Sequence, residues 1–220
     1  METSVKVIQV GTSYTVDFSI PASHRQTFDR IYAKDLWNGG SGTGSTEETT
    51  RQYRAYLQQF LAANRIKSVI DVGCGDWQFS QYIDWSGVDY LGIDVSSVVL
   101  ANTKKFTRPG VAFREMDVTR NPLPSADLLV AKDVLQHWGN DDIIAFLPKL
   151  KSCRAALITN GFTEAAMAKL NRDIRTGNWR PIDLQQAPFN WPGSYVFWFI
   201  ADAPKNVFLW QNPDPPAVVG

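Results

Sequence analysis

The chain has 220 residues, with 22 Lys plus Arg against 22 Asp plus Glu, 44% hydrophobic residues and two cysteines. That length suits one well-cored α/β domain, and a formal net charge of zero speaks against a nucleic-acid partner. No apolar run reaches the ~18 residues of a membrane span, no signal pattern opens the chain, and two cysteines in apolar surroundings do not make a disulfide framework.

In chain order, residues 5–20 alternate as Val5, Val7, then Tyr14, Val16, Phe18 and Ile20 around Gly11-Thr12-Ser13, which predicts a β-hairpin. Pro21-Ala22-Ser23 introduces a helix with Phe28, Ile31, Tyr32 and Leu36 on one face. His24, at its start, reads as a surface or capping residue. The Gly/Ser-rich run 38–45 follows Trp37. It lacks the Lys-Ser/Thr of a P-loop, and we expect a mobile lid over a ligand. A helix over 47–64 carries the stripe Tyr53, Tyr56, Leu57, Phe60 and Leu61.

From Lys67 the chain alternates. Strands at 68–72, 90–94, 111–116, 128–132 and 155–159 are interleaved with helices at 77–84, 97–105 and 141–150. A helix at 163–174, a Pro-punctuated loop at 178–193 and strands at 195–200 and 206–210 follow. This predicts an α/β fold: a doubly wound, seven-stranded, mostly parallel sheet with an antiparallel C-terminal hairpin strand, plus an N-terminal β-hairpin and cover helices. Residues 1–66 form the hairpin, cover helices and lid. Residues 67–211 form the core of the same domain, and 212–220, with three prolines, a flexible tail.

The chemistry gathers at strand ends. Strand 68–72 runs through Asp71 into Gly73-Cys74-Gly75, where missing Cβ atoms let a ligand approach the backbone. Asp94 ends the next strand and Asp117 follows the third. Carboxylates there accept hydrogen bonds from ribose hydroxyls and from an adenine amine. A dinucleotide site would place a third glycine in Gly-x-Gly-x-x-Gly. This chain has Asp76-Trp77-Gln78 instead, and a carboxylate there repels a phosphate.

These segments resemble the class I S-adenosylmethionine-dependent methyltransferases. Asp71-Val72-Gly73-Cys74-Gly75 is similar to their first motif and Tyr90-Leu91-Gly92-Ile93-Asp94 to their second. Glu115-Met116-Asp117-Val118 is similar to the adenine-flanking segment, and 127–137 to the region beside the reactive methyl. The resemblance implies S-adenosylmethionine as cofactor. Gly73 and Gly75 would border its methionine portion, with Asp71 near the amine. Asp94 would hold the ribose, Asp117 and Val118 would flank adenine, and Lys132 and Asp133 would lie at the sulfonium end. Cys74, Trp77 and Val95 join the cofactor set through the same motifs. The flanking segments look like those of bacterial and viral methyltransferases of largely unassigned substrate, some acting on sugars.

His137, just past the fourth predicted strand, is the candidate general base, with Asp133 beside it. Trp37, Trp179, Arg180, Asp183 and Trp191 are the candidate acceptor-binding residues, a mix of aromatic faces and charged groups suited to a polar ligand. No residue cluster has metal-ligand spacing. The expected activity is O-methylation of a small polar acceptor such as a sugar hydroxyl of a glycan, in the cytoplasm, with no nucleic acid or membrane involved. N-methylation of a metabolite or protein side chain, and an inactive binding module on the same fold, stay open. The oligomeric state is not legible.

Overall fold

The computed structural model describes the backbone of Val7–Val10, Ser13–Val16 and residues 23–216, and side chains of residues 23–216. β1 (Val7–Val10) and β2 (Ser13–Val16) pair antiparallel, with Val7 opposite Val16 and Val10 opposite Ser13. Val5, Phe18 and Ile20 of the expected hairpin lie outside the described residues.

The main sheet holds β3 (Ser68–Val72), β4 (Asp89–Asp94), β5 (Val111–Glu115), β6 (Ala126–Lys132), β7 (Cys153–Gly161), β8 (Ser194–Ile200) and β9 (Pro204–Gln211). Their order is β5-β4-β3-β6-β7-β9-β8. β3 to β7 pair in parallel, whereas β9 runs antiparallel to both its neighbours. Every residue of β6, Ala-Asp-Leu-Leu-Val-Ala-Lys, is buried, as a strand covered on both faces requires. Alternation sends Ile70 and Val72 into one core layer with Phe28, Ile31 and Phe146, and Val69 into the other with Tyr53, Leu57 and Trp85. The sheet order reverses at β3, with β4 and β5 on one side and β6 and β7 on the other. That leaves a crevice beyond the carboxyl ends of β3 and β6.

The helices depart from the periodicity. α1 (His24–Ala33) and α2 (Arg51–Ala63) form where expected, and Ser23 caps α1 in a capping box with Gln26. The helix expected at 77–84 is a run of turns with a 3-10 segment at Ser80–Tyr82. Trp77 there takes a left-handed φ of 63°, and its burial together with Trp85 outweighs helix propensity. α3 covers only Ser97–Leu100, and Thr103 bonds back to the Leu100 carbonyl. α4 (Asn140–Phe146) gives way to a 3-10 turn at Pro148, which lacks the N–H a longer α-helix needs. The helix expected at 163–174 is a 3-10 segment, Glu164–Lys169. In the expected tail, Asn212 is tied to the backbone of Lys151, Cys153 and Arg154. Among the described residues, no helix is long and apolar enough to cross a membrane.

Candidate active site

Beyond β3 the chain turns through Gly73 (φ 69°) and Gly75 (φ 56°). A Cβ on Gly73 would collide with Val134, and one on Gly75 with Ser41, so the turn needs glycine at both places. Gly73 and Cys74 donate their N–H groups to the Ile93 carbonyl at 2.7 and 3.1 Å, lashing the turn to β4. Asp94 accepts from Gly75 N (3.1 Å) through one oxygen and Ser96 N (2.9 Å) through the other. Burial pushes its carboxyl up to about 6 despite these bonds.

A cavity of about 280 Å³ opens at this point. Gly73, Asp94, Val95, Met116, Asp117 and Val118 line one end. Asp117 is steadied by Thr119 Oγ1 (2.6 Å) and N (3.0 Å), with Arg120 at 3.6 Å.

Four charged side chains meet at the other end. Lys132 and Lys205, both buried, grip the two oxygens of Asp133 at 2.6 and 3.0 Å. Lys205 also pairs with Asp202 at 3.0 Å. Burial alone would raise Asp133, yet the two ammonium charges hold it below the usual carboxylate range. Asp133 is therefore a fixed charge and a poor proton acceptor. Its backbone is left-handed (φ 60°) and donates to the Thr159 carbonyl at 2.8 Å, a conformation Asp tolerates better than most residues.

His137 lines the same end, its ring 5.1 Å from that of Trp37. Its Nδ1 lies 2.9 Å from the Asn178 carbonyl. A carbonyl only accepts, so Nδ1 carries the proton and Nε2 of the neutral ring presents a lone pair. Burial lowers the imidazole below its ordinary value, against the Asn178 bond. Gln136 sets the neighbourhood: its Oε1 accepts from Gly161 N at 2.6 Å, turning its amide nitrogen to within 3.4 Å of His137 Nε2. Trp179 completes this wall.

The Gly-rich run is docked over the cavity. Ser41 donates to Asp76 Oδ1 (2.7 Å) and accepts from Asp76 N (3.2 Å), Lys132 donates to the Gly44 carbonyl (2.8 Å), and Thr43 bonds Asp202 (3.3 Å). Asp76, read from the sequence as a bar to phosphate, is thus also the anchor of the loop.

Other sequence-derived candidates stand outside the cavity. Asp71 accepts from Tyr90 Oη (2.6 Å) and Ser80 Oγ (3.4 Å) in the core layer beneath, and burial pushes it up to about 7. The Cys74 side chain is buried under the turn, against Gly92. Trp77 packs between Phe106 and Phe113, with centroids 4.9 and 5.5 Å away. Gly75 meets the lid and Asp94 instead of the cavity. Asp183 is spent on Tyr195 Oη (2.9 Å) and Gln186 (2.7 Å), and Trp191 packs on Trp210. His24, expected at the surface, instead lines the cavity, buried between Phe28 and Trp138 and reaching Asp142 at 2.8 Å.

Arg180 is fully buried and donates to the Leu135 carbonyl (2.9 Å), the Arg172 carbonyl (3.2 Å) and Asn140 Oδ1 (2.8 Å), pinning the 178–193 loop to the cavity wall. Arg180→Met should cost about 3 kcal/mol by orphaning these acceptors. The thermal midpoint should then fall by roughly 6–12 °C. An unchanged midpoint with a weakened acceptor would return Arg180 to the binding site.

Sequence reasoning missed Gln136, Asp202 and Lys205. Only the pairing of Gly161 with Lys205 across β7 and β9 brings the last two to the crevice.

The sheet order, the reversed β9 and this crevice are those of the Rossmann-like S-adenosylmethionine-dependent methyltransferases. The model of the O-methyltransferase domain family matches residues 13–166, and the chain belongs to that family. It is an S-adenosylmethionine-dependent methyltransferase. Solved structures share the fold. Magnesium protoporphyrin IX methyltransferase (ChlM) of Synechocystis PCC 6803, with bound SAH, superposes at a TM-score of 0.61 and 14% identity, covering 84% of this chain and 96% of that one. The DhpI–SAH complex gives 0.61 and 15%, covering 87% and 97%. Human N-acetylserotonin methyltransferase with SAM gives 0.54 and 16%, covering 88% of this chain and 60% of that one. No curated protein matches the sequence.

Proposed function

We propose that the enzyme methylates a hydroxyl oxygen of a small polar acceptor, such as a sugar unit, with His137 as general base. The carrying observation is the His137 ring, which lines the cavity with Nδ1 2.9 Å from the Asn178 carbonyl, a contact that assigns the proton to Nδ1 and leaves Nε2 its lone pair. When bound, S-adenosylmethionine supplies an electrophilic methyl group on a cationic sulfur. The residues fit it. Asp94 keeps lone pairs for ribose hydroxyls, Val95, Met116 and Val118 offer apolar surface beside Asp117 for adenine, and Gly73 leaves open backbone for the methionine portion. Lys132 and Asp133 form the sulfonium end, and Trp37 and Trp179 supply aromatic faces for the acceptor. N-methylation is less well supported, since both oxygens of its proton acceptor, Asp133, are held by lysines.

The docked loop excludes water from the reacting centre. Deleting residues 39–45 should cut turnover at least about tenfold, and normal kinetics would reduce the run to a linker. The reaction itself is tested with [methyl-13C]S-adenosylmethionine and a panel of sugars, phenols and amines. An O-methyl carbon resonance is expected, and an N-methyl product would overturn the reading.

A further inference from the structure

The mechanism above leaves one cation at the acceptor end without a task. Lys205 stands near the start of β9, opposite Gly161, with its side chain 5% exposed. Its ammonium meets Asp133 Oδ1 and Asp202 Oδ1, each at 3.0 Å. Among the described residues it has no further hydrogen-bond or ion-pair partner, and Lys205 lines the cavity. An ammonium has three N–H groups, so one is left over. Lys132 differs: the Gly44 carbonyl and Asp133 take two of its donors, and the rings of Tyr53 and Phe79 flank its ammonium.

Lys205 and His137 flank the same gap. A β-carbon on Gly161 would lie 3.3 Å from Lys205 Nζ and 3.4 Å from Gln136 Oε1. The Gln136 amide nitrogen in turn lies 3.4 Å from His137 Nε2, a long contact that an acceptor hydroxyl displaces to reach that lone pair. A donor and an acceptor thus line one cavity, with the Gln136 carboxamide between them and glycine where a β-carbon would crowd both.

We propose that Lys205 orients the acceptor by donating its remaining N–H to the acceptor oxygen, while His137 Nε2 takes the hydroxyl proton, and that this pair selects a hydroxyl over an amine. The selection follows from lone pairs. A hydroxyl oxygen has two. One accepts from Lys205, the second forms the new O–C bond as the C–S pair departs on sulfur, and the O–H proton passes to His137. A neutral amine has a single lone pair, and an ammonium N–H would occupy the pair that must attack. Burial alone would lower Lys205, but Asp133 and Asp202 hold it above its ordinary value. It therefore stays a donor across the neutral range. The proposal rests on the O-methylation reading and adds the residue that enforces it.

A phenol whose ionisation is visible tests this without turnover. With S-adenosylhomocysteine bound, 4-nitrophenol is titrated by its phenolate absorbance. Wild-type protein should lower the apparent pKa by about one unit or more, as a desolvated cation at contact does. Lys205→Met should abolish the shift and Lys205→Arg should keep most of it. 4-Nitroaniline, of the same outline but uncharged and with its nitrogen lone pair conjugated into the ring, is a poor acceptor for the ammonium and should bind at least about tenfold more weakly. An unshifted wild-type titration, an equal shift in Lys205→Met, or equal affinity for the aniline would overturn the proposal. Should Lys205→Met fail to fold, the wild-type titration and the aniline comparison still decide. Two further readouts separate the readings: loss of S-adenosylhomocysteine binding in calorimetry strikes the cofactor site, whereas intact binding with an unshifted phenol strikes Lys205 if the labelled-methyl panel still gives an O-methyl product, and the O-methylation reading if it gives an N-methyl one.

Discussion

Asp94→Ala is expected to weaken S-adenosylmethionine binding about a hundredfold or more in calorimetry. Asp94 is buried at the carboxyl end of β4, and its two oxygens are already aimed by Gly75 N and Ser96 N. Charge-assisted bonds to two ribose hydroxyls are worth about 1.5–3 kcal/mol each. The substitution also removes the side-chain acceptor of Gly75 N in the turn. The sign of the pH effect follows from the raised carboxyl. With its pKa near 6 in the free protein, Asp94 is protonated below that value, and donors from a ribose favour the ionised form. Affinity should therefore fall as pH drops through about 6, and Asp94→Asn should flatten this dependence. Unchanged affinity in Asp94→Ala would remove the ribose assignment.

His137→Ala should lower turnover by about 10²–10⁴, the usual span for loss of a general base, while cofactor affinity changes little. Burial holds the imidazole below its ordinary value, so the neutral ring, which is the base, predominates at neutral pH. The rate should rise with pH through that depressed value and then stay flat. Full activity in His137→Ala would make the histidine a packing partner of Trp37 and nothing more.

The strands were legible because burial on both faces writes a continuous apolar run into the sequence, as in β6. The helices were less so. Trp77 and Trp85 anchor a segment whose backbone follows their burial, and Pro148 cuts the helix after Phe146. At the site, Asp94, Asp117, Lys132, Asp133 and His137 all reach the cavity because strand ends deliver them there. Arg180 and Asp183, expected at the acceptor, stand outside the cavity lining for a physical reason. A charged residue in a loop looks free until its partners are known, and those of Arg180 include Leu135, 45 residues away. Lys205 and Asp202 carried no local signal, since only the hairpin's return along β7 places them beside Asp133.

The state of His137 decides most directly between a base and a bystander. 15N NMR of the imidazoles in the S-adenosylhomocysteine complex can read it, with His24→Gln assigning the signals of the two histidines. At neutral pH, His137 should be uncharged with its proton on Nδ1 and a bare Nε2. A proton on Nε2, or an imidazolium at that pH, would contradict its role as the base.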